Sequence, residues 1–532
     1  MRFFNTVGPV DCASHYCLPP LERIDLGYVL DLLEQRKYFI LHAPRQTGKT
    51  SVLLALQTYL NQGDRFRCLY VNFEVAQAAR EQVAPAMRAL LEEIGQRARL
   101  TLNDTFPLVA WLDIFQRSGE HGALNSLLTE WCLRLPRPLV LLVDEIDSLI
   151  GDTLIAVLRQ LRAGYDKRPH AFPSSIVLCG VRDVRDYRIH SSRTQEIITG
   201  GSAFNIKADS LRLGDLSQPE VERLLRQHTE ETGQPFTDEA LATIWDLTQG
   251  QPWLVNALAY ETCFRMPAGR DRSRPITAEM VFAAKEELIR RRETHLDQLA
   301  DKLREPRVRR VIEPMLQGTE LDRHVSDNDL QYVLDLGLIR RTESGLQIAN
   351  PIYREVIPRE LTYITQLNLE SQQQTAWYIR PDGRLDLPKL LAAFQQFFRE
   401  HADSWLERFQ YREAGPQLLL QAFLQRVVNS GGRVEREYGL GRRRTDLLIL
   451  WPVKTGTATT VQRAVIELKL LHKSLEATIA EGLAQTWEYA DRCGAEEAHL
   501  VIFDRRPGIP WEEKIFRRQE TYRHRPITVW GM

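Results

Sequence analysis

Eight consecutive residues, Ala43, Pro44, Arg45, Gln46, Thr47, Gly48, Lys49 and Thr50, lie between an apolar stretch, Lys37–His42, and the helix-forming stretch SVLLALQTYL that begins at Ser51. Strand, short loop and helix in that order aim the loop amides and the first helical turn at a single point. The unpaired N–H groups and the positive end of the helix dipole favour an anion there. A lysine and a threonine at the helix start supply what a nucleotide polyphosphate needs. Lys49 would reach the β- and γ-phosphates, and the Thr50 hydroxyl, next to Ser51, would ligate Mg²⁺. A chain with this feature is expected to build an α/β domain around a parallel sheet.

The spacing is that of a P-loop with one departure: the first position, usually glycine, is Ala43. Alanine keeps the turn provided its φ is negative. A second element supports ATP as the ligand, because the apolar run Leu139–Val143 ends in Asp144 and Glu145, the Walker-B form. An acid at a strand end can hold Mg²⁺ through water, and the glutamate after it can orient or deprotonate the attacking water. Arg67–Phe73 and Ser175–Gly180 complete four strand candidates. Leu139–Val143 and Ser175–Gly180 are nearly continuous apolar runs, as strands buried on both faces are.

A length of 532 residues exceeds one core and points to three or four domains. The formal net charge of -1 gives no overall pull on nucleic acid, so any DNA contact must come from local basic patches. The cysteines number 7, odd and scattered, which fits reduced thiols of a cytoplasm better than a disulfide framework. Cys12 and Cys17 lie close together without a second pair to complete a zinc site, and they read as structural. No apolar run approaches membrane-spanning length, and no basic segment followed by an apolar core opens the chain. A cytoplasmic protein without a membrane partner is expected.

From about Gln218 the pattern turns helical, with apolar residues at three- and four-residue spacing through EVERLLRQHTEETG, DEALATIWDLTQG and PWLVNALAYETCF. An arginine-rich helical stretch follows around Arg290–Arg310. Then come a helix over Asp327–Leu336 and a hairpin-like piece, LIRRTESGLQIANP, together a plausible winged-helix remnant. Leu361–Gly383 is polar and glutamine-rich, a linker or domain edge. No internal repeat is present, which argues against a solenoid sensor.

Two further features resemble a branch of ATPases. Ser175–Gly180 runs into Val181, Arg182 and Asp183, where AAA+-like proteins place a polar sensor near the γ-phosphate. Gly250, Gln251 and Pro252 resemble the GxP motif of STAND NTPases and archaeal-type ATPases, whose proline packs near the adenine. The stretch Asn5–Arg23 is similar to the segment before the P-loop in bacterial members; there His15 and Tyr16 either flank the base or simply pack. The resemblance covers roughly residues 1–360. It implies Arg182 and Pro252 as nucleotide-binding residues and a homo-oligomer in which one subunit lends an arginine to the next. Arg182, Arg185, Arg188 and Arg193 are the candidates, and the sequence does not rank them.

The second informative region begins with the helix PQLLLQAFLQRVV from Pro416. Strands RVEREYGLG, RRTDLLILW and RAVIELKLL follow, the third after a loop containing Lys454–Thr460. A helix from about Ser474 to Arg492 and the strand EAHLVIFD complete it. Asp446 falls on the second strand, and Glu467 and Lys469 fall two apart on the third, so these last two point to one face. Asp446 and Glu467 can hold Mg²⁺ or Mn²⁺, while Lys469 can position or activate water and stabilise charge at a phosphodiester. Charges inside an apolar strand are costly unless used or paired.

This set resembles the PD-(D/E)XK nucleases, D…ExK in α-β-β-β-α-β order. Gln485 and Tyr489 resemble the auxiliary QxxxY element of the subgroup related to bacterial recombination exonucleases. Many relatives place an acid on the first helix, where this chain has glutamine. Glu413, or Glu435 and Glu437, are the possible substitutes. Arg442, Arg443, Arg444, Arg505 and Arg506 either grip phosphates or form exposed basic turns.

The expected organisation is therefore a P-loop ATPase domain with its nucleotide-flanking segment at 1–215 and a helical lid at 216–290. A winged helix at 291–362, a connector at 363–415 and a nuclease-like α/β domain at 416–532 would follow. The expected function is an ATP-dependent or nucleotide-regulated DNA nuclease. The alternatives are a STAND-like switch or scaffold with an inactive nuclease fold, and a winged-helix DNA-binding regulator.

Overall fold

Apolar runs without a polar face must be covered on both sides, and in the computed structural model they are. Residues 1–183, 188–190, 197–199, 207–291, 302–303, 305–317, 325–343, 345–361, 378–408, 420, 423–424, 433–437, 446–455, 458–471, 474–504, 506 and 509–532 are described. They divide into two units, Met1–Arg291 with Leu330–Pro351 and Arg292–Asp329 with Ile352–Met532.

The main sheet of the first unit has five parallel strands: β1 (Tyr38–His42), β2 (Arg67–Asn72), β3 (Leu139–Asp144), β4 (Ser175–Gly180) and β5 (Lys207–Arg212). Their order is β2-β3-β4-β1-β5, so one strand separates the P-loop strand from the Walker-B strand. Alternate residues serve opposite faces. Phe39, Leu41, Tyr70, Leu142 and Val177 pack with α1 (Leu26–Glu34) and α2 (Lys49–Gln62). Ile40, Leu69, Val71, Leu141 and Leu178 pack with α3 (Val83–Leu102), α4 (Phe106–Ser118), α5 (Ala123–Cys132) and α6 (Gly151–Ala163).

The strand β5 is not among the four apolar candidates. Its KADSLR sequence suits a half-solvated edge, where polar residues are tolerated. The other edge, β2, has its outer backbone groups occupied by α2 side chains. Asn61 accepts from Cys68 N–H at 2.9 Å and donates to its carbonyl at 2.8 Å, while Gln57 accepts from Tyr70 N–H at 2.7 Å.

The lid begins with α7 (Gln218–Thr232), opened by a Ser217–Glu220 capping box, followed by α8 (Asp238–Thr248) and α9 (Pro252–Tyr260). The expected helix and hairpin are α10 (Asp327–Asp335) and the antiparallel pair β6 (Ile339–Thr342) and β7 (Gly345–Ile348).

The second unit is built on a mixed sheet. Its strands are β8 (Arg433–Glu437), β9 (Asp446–Thr455), β10 (Ala458–Leu470), β11 (Glu497–Phe503), β12 (Phe516–Tyr522) and β13 (Arg525–Gly531), in the order β8-β9-β10-β11-β13-β12. One face, with Leu447, Ile449, Ile466 and Phe503, packs against α11 (Leu387–Arg408), which comes from the segment read as a connector. The other, with Val465, Leu500 and Val529, packs against α12 (Leu475–Arg492). The strand β10 runs antiparallel to β9 and parallel to β11, and α12 makes the crossover that a parallel pair requires.

Two expectations are corrected. The supposed loop Lys454–Thr460 is a continuation of the β9–β10 ladder to Thr455↔Ala458, since its β-branched threonines favour strand even without apolar alternation. The terminal hairpin β12–β13 was not foreseen, because β12, FRRQETY, is a charged edge strand. Of the expected helix from Pro416, only residues 420 and 423–424 are described. Among the described residues no helix is long and apolar enough to cross a membrane.

Candidate functional site

The P-loop leaves β1 at His42 and enters α2 at Lys49. Ala43 is buried, donates its N–H to Gly180 O at 3.2 Å and has no positive φ, so the departure from glycine is accommodated. The turn is made by Gln46 (φ 59°) and Gly48 (φ 94°). At φ 94° Gly48 has a conformation that L side chains rarely adopt, and a β-carbon there would stand 2.8 Å from Arg23 Nη1, which would have to move. Lys49 Nζ donates to Ala43 O at 3.0 Å and Pro44 O at 2.9 Å, and Thr47 Oγ1 donates to Pro44 O at 2.8 Å. Arg45 is exposed. The Ser51 hydroxyl accepts from Val10 N–H at 3.0 Å.

The Walker-B carboxylate stands where α2 begins. Thr50 Oγ1 donates to Asp144 Oδ2 at 2.7 Å, and Glu145 N–H donates to Asp144 Oδ1 at 3.0 Å. Asp144 is 1% exposed. A hydroxyl and a dry carboxylate in contact are hard oxygen donors that fit Mg²⁺, with Thr50 and Asp144 holding it. Such an ion supplies neutralising charge for the phosphates. Glu145 occupies the left-handed region (φ 53°), a strained placement for a side-chain-bearing residue. Burial first, and then the neighbouring Asp147 carboxylate, push its pKa up to about 7. That value suits a group that takes a proton from water near neutrality.

A cleft of about 160 Å³ adjoins the loop. Val10 and Tyr16 of the N-terminal segment, Gln46 of the loop, Ser51 of α2, and Pro252 and Asn256 of α9 line it. Trp253 Nε1 donates to Thr6 O at 2.9 Å, which fastens the N-terminal segment to the lid. Pro252 and Tyr16 thus stand at one cleft with the P-loop. His15 turns away, its Nδ1 accepting from Asp11 N–H at 3.0 Å and its ring edge-on to Phe3. Cys12 and Cys17 form a disulfide within the N-terminal segment, where reduced thiols were expected.

Arg182 is engaged by the helix–hairpin. Its Nε donates to Asp335 Oδ2 at 3.0 Å in a pair only 7% and 2% exposed, and its guanidinium lies 4.9 Å from the Tyr332 ring centroid. The same helix–hairpin closes on the loop itself: a β-carbon on Gly337 would meet Pro44 Cγ at 2.6 Å. Arg185 and Arg193 lie outside the described residues, and Arg188 is described in backbone only.

Sequence reasoning missed Arg23, whose guanidinium donates to Thr47 O and, at 2.6 Å, to Gly214 O. Burial pushes its pKa down against the opposing pull of Glu220 and Asp215. Nothing in its local sequence separates it from a surface arginine.

In the second unit, register places Asp446 opposite Glu467, so positions 446, 467 and 469 share the face that packs on α12. Glu467 is 0% exposed, and among the described residues neither of its oxygens accepts a hydrogen bond. Lys469 Nζ stands 3.3 Å from Glu467 Oε1 and 3.7 Å from Glu481 Oε1, an acid on α12 that sequence reasoning did not single out. Gln485 Oε1, one turn further along α12, is buried without a partner, and Tyr489 is packed in the core. An unbonded buried carboxylate beside an opposite charge is a hard-oxygen donor suited to a divalent cation.

Among the described residues no cluster of three or more metal-ligating side chains is assembled. Asp446, Glu435 and Glu437 are described in backbone only, and Glu413, Arg442, Arg443, Arg444 and Arg505 lie outside the described residues. Arg506 is held by Asp504 at 2.6 Å.

Comparison with known proteins bears on the first unit. A family model described as an AAA domain matches residues 32–187. A Walker-type ATPase of Pyrococcus abyssi aligns at 15% identity over 66% of this chain and 99% of its own, with a TM-score of 0.45. The Thermotoga maritima RuvB Holliday junction branch migration motor aligns at 16% identity over 62% and 92%, TM-score 0.32. Cdc6p from Pyrobaculum aerophilum aligns at 16% identity over 65% and 93%, TM-score 0.34. No curated protein matches the chain significantly. The family match and the loop geometry together make residues 32–187 an AAA-type P-loop ATPase domain.

Proposed function

We propose that this chain, an AAA-type P-loop ATPase over residues 32–187, is a nucleotide-regulated DNA nuclease. ATP hydrolysis in the first unit would control metal-dependent phosphodiester cleavage in the second. Lys49 and the loop amides bind the phosphates, Thr50 and Asp144 hold Mg²⁺, and Glu145 accepts the proton of the attacking water. The adenine lies in the cleft between Tyr16 and Pro252. In the second unit Asp446 and Glu467 hold Mg²⁺ or Mn²⁺, and Lys469 positions the attacking water. DNA is the partner, and a neighbouring copy of the chain supplies an arginine to the ATP site.

One observation carries the nuclease reading. Glu467 is fully buried without a hydrogen bond, next to Lys469 and opposite Asp446 in the ladder. Burying a carboxylate is costly unless the charge is used or paired, and the pairing with Lys469 leaves both oxygens open to a cation. Incubating the chain with linear and circular, single- and double-stranded DNA, with Mg²⁺ or Mn²⁺ and with or without ATP, tests it. Cleavage that vanishes in Lys469→Ala supports the reading, and no cleavage under any of these conditions overturns it.

A second reading, a nucleotide-gated switch without cleavage, is favoured by the Arg182–Asp335 pair. That contact keeps the sensor arginine on the helix–hairpin, read here as a winged helix. On that reading Asp335→Asn raises basal ATP turnover several-fold in a phosphate-release assay, and an unchanged or lower rate counts against it.

A further inference from the structure

We propose that Tyr70 is a positioning residue for ATP hydrolysis, which aims the metal-holding carboxylate of Asp144 by a hydrogen bond from its phenol. The proposal rests on the ATP-site reading above. Asp144 Oδ2 accepts from Thr50 Oγ1 at 2.7 Å and from Tyr70 Oη at 3.1 Å, while Oδ1 accepts from Glu145 N–H at 3.0 Å. Three donors on two oxygens fix the plane of the carboxylate. Two of them, Thr50 and Glu145, belong to the reacting site. Tyr70 is the third and comes from a strand with no other part in the site.

The geometry follows from the sheet. Register sets Asn72 beside Asp144 and Tyr70 beside Leu142, so Tyr70 and Asp144 share the α2 face, one pleat apart. A long side chain leaning along the strand spans that distance. Tyr70 is held from two sides. Its backbone N–H donates to Gln57 on α2, two turns beyond Thr50. The Arg97 guanidinium lies 5.3 Å from its ring centroid, having reached round the edge strand from α3, and Arg97 is itself fixed by Glu93 at 2.7 Å. A cation over the ring draws electron density from it and makes the hydroxyl a stronger donor.

Tyr70 is 4% exposed among Val140, Leu142 and Val177, where phenylalanine would fill the same space. The hydroxyl is therefore the part that needs explaining. A buried tyrosine oxygen satisfied only for packing leaves metal affinity untouched, whereas a partner that orients a ligand changes it.

Metal titration of the full chain separates the two. Tyr70→Phe should raise the Mg²⁺ concentration for half-maximal turnover by about tenfold. Mn²⁺-dependent tightening of a fluorescent ADP analogue should shift by the same factor. Affinity for that analogue in EDTA should not change, and saturating Mg²⁺ should restore turnover to within about twofold, since only aiming is lost. Arg97→Met should move both metal curves the same way by a smaller factor, and it takes the place of Tyr70→Phe if that variant does not fold. Metal curves that coincide with wild type overturn the role of Tyr70. A wild-type chain whose nucleotide binding ignores metal overturns the ATP-site reading instead.

Discussion

The two sites differ in how they stand without a ligand. In the first unit Lys49, Thr47 and Thr50 already have protein acceptors, and the Asp144 carboxylate takes three hydrogen bonds. The loop keeps its shape because the lysine binds the loop's own carbonyls until phosphates displace them. In the second unit Glu467 is buried with no hydrogen bond and Lys469 for compensation. One site is self-satisfied and exchanges partners on binding. The other holds an anion whose burial is only partly offset. The first should therefore show its ligand in turnover, and the second should show a cation in stability.

The largest expected effect breaks the comparison cleanly if it fails. Lys49→Ala should reduce ATP turnover by at least about a hundredfold, as loss of a charge aimed at the phosphates does. Lys469→Ala should leave turnover intact and abolish DNA cleavage. Phosphate release and gel-based cleavage on both variants check this, and turnover persisting in Lys49→Ala would falsify the P-loop assignment.

The next sharpens the contrast in stability. Mn²⁺ at a hundredfold its Kd should stabilise the second unit by about 2.7 kcal/mol, and Glu467→Gln should lose that gain. Calorimetry of the full chain with and without Mn²⁺ reads it. An equal rise in both proteins would mean that the ion binds elsewhere.

The first site was legible because its chemistry is local. Eight contiguous residues and one strand end carry it, and strand boundaries fell within a residue or two of the apolar runs. What stayed hidden came from chain folding back on itself. Tyr70 and Arg23 reach the site from other segments, and Asp335 meets Arg182 across 153 positions. No spacing rule encodes those meetings. In the second unit the i, i+2 pattern placed Glu467 and Lys469 correctly on one face. Glu481 escaped because a glutamate on an amphipathic helix looks like any solvated residue. The strands β5 and β12 escaped for a related reason, since edge strands carry polar residues and lose the apolar signal that marks central ones.

The smallest effect concerns the strained acid of the first site. Glu145 has an ordinary pKa of 4.5 that burial, and then Asp147, raise to about 7. Below that value the folded protein holds it neutral; above it the carboxylate is anionic. Only the anion can take a proton from water, so kcat/KM for ATP should fall about tenfold per pH unit below 7 and level off above it. The sign for stability is opposite. A raised folded value means that the contribution of Glu145 is full below 4.5 and is lost as pH rises through about 7. Activity and stability should thus trade across the same window, which no group of the second unit with a resolved shift shares. Glu145→Gln should hold stability constant across that window while still binding ATP without turnover. A wild-type profile that is flat between pH 5.5 and 8 would mean that Glu145 is already anionic throughout, and that the strained turn at φ 53° serves placement alone.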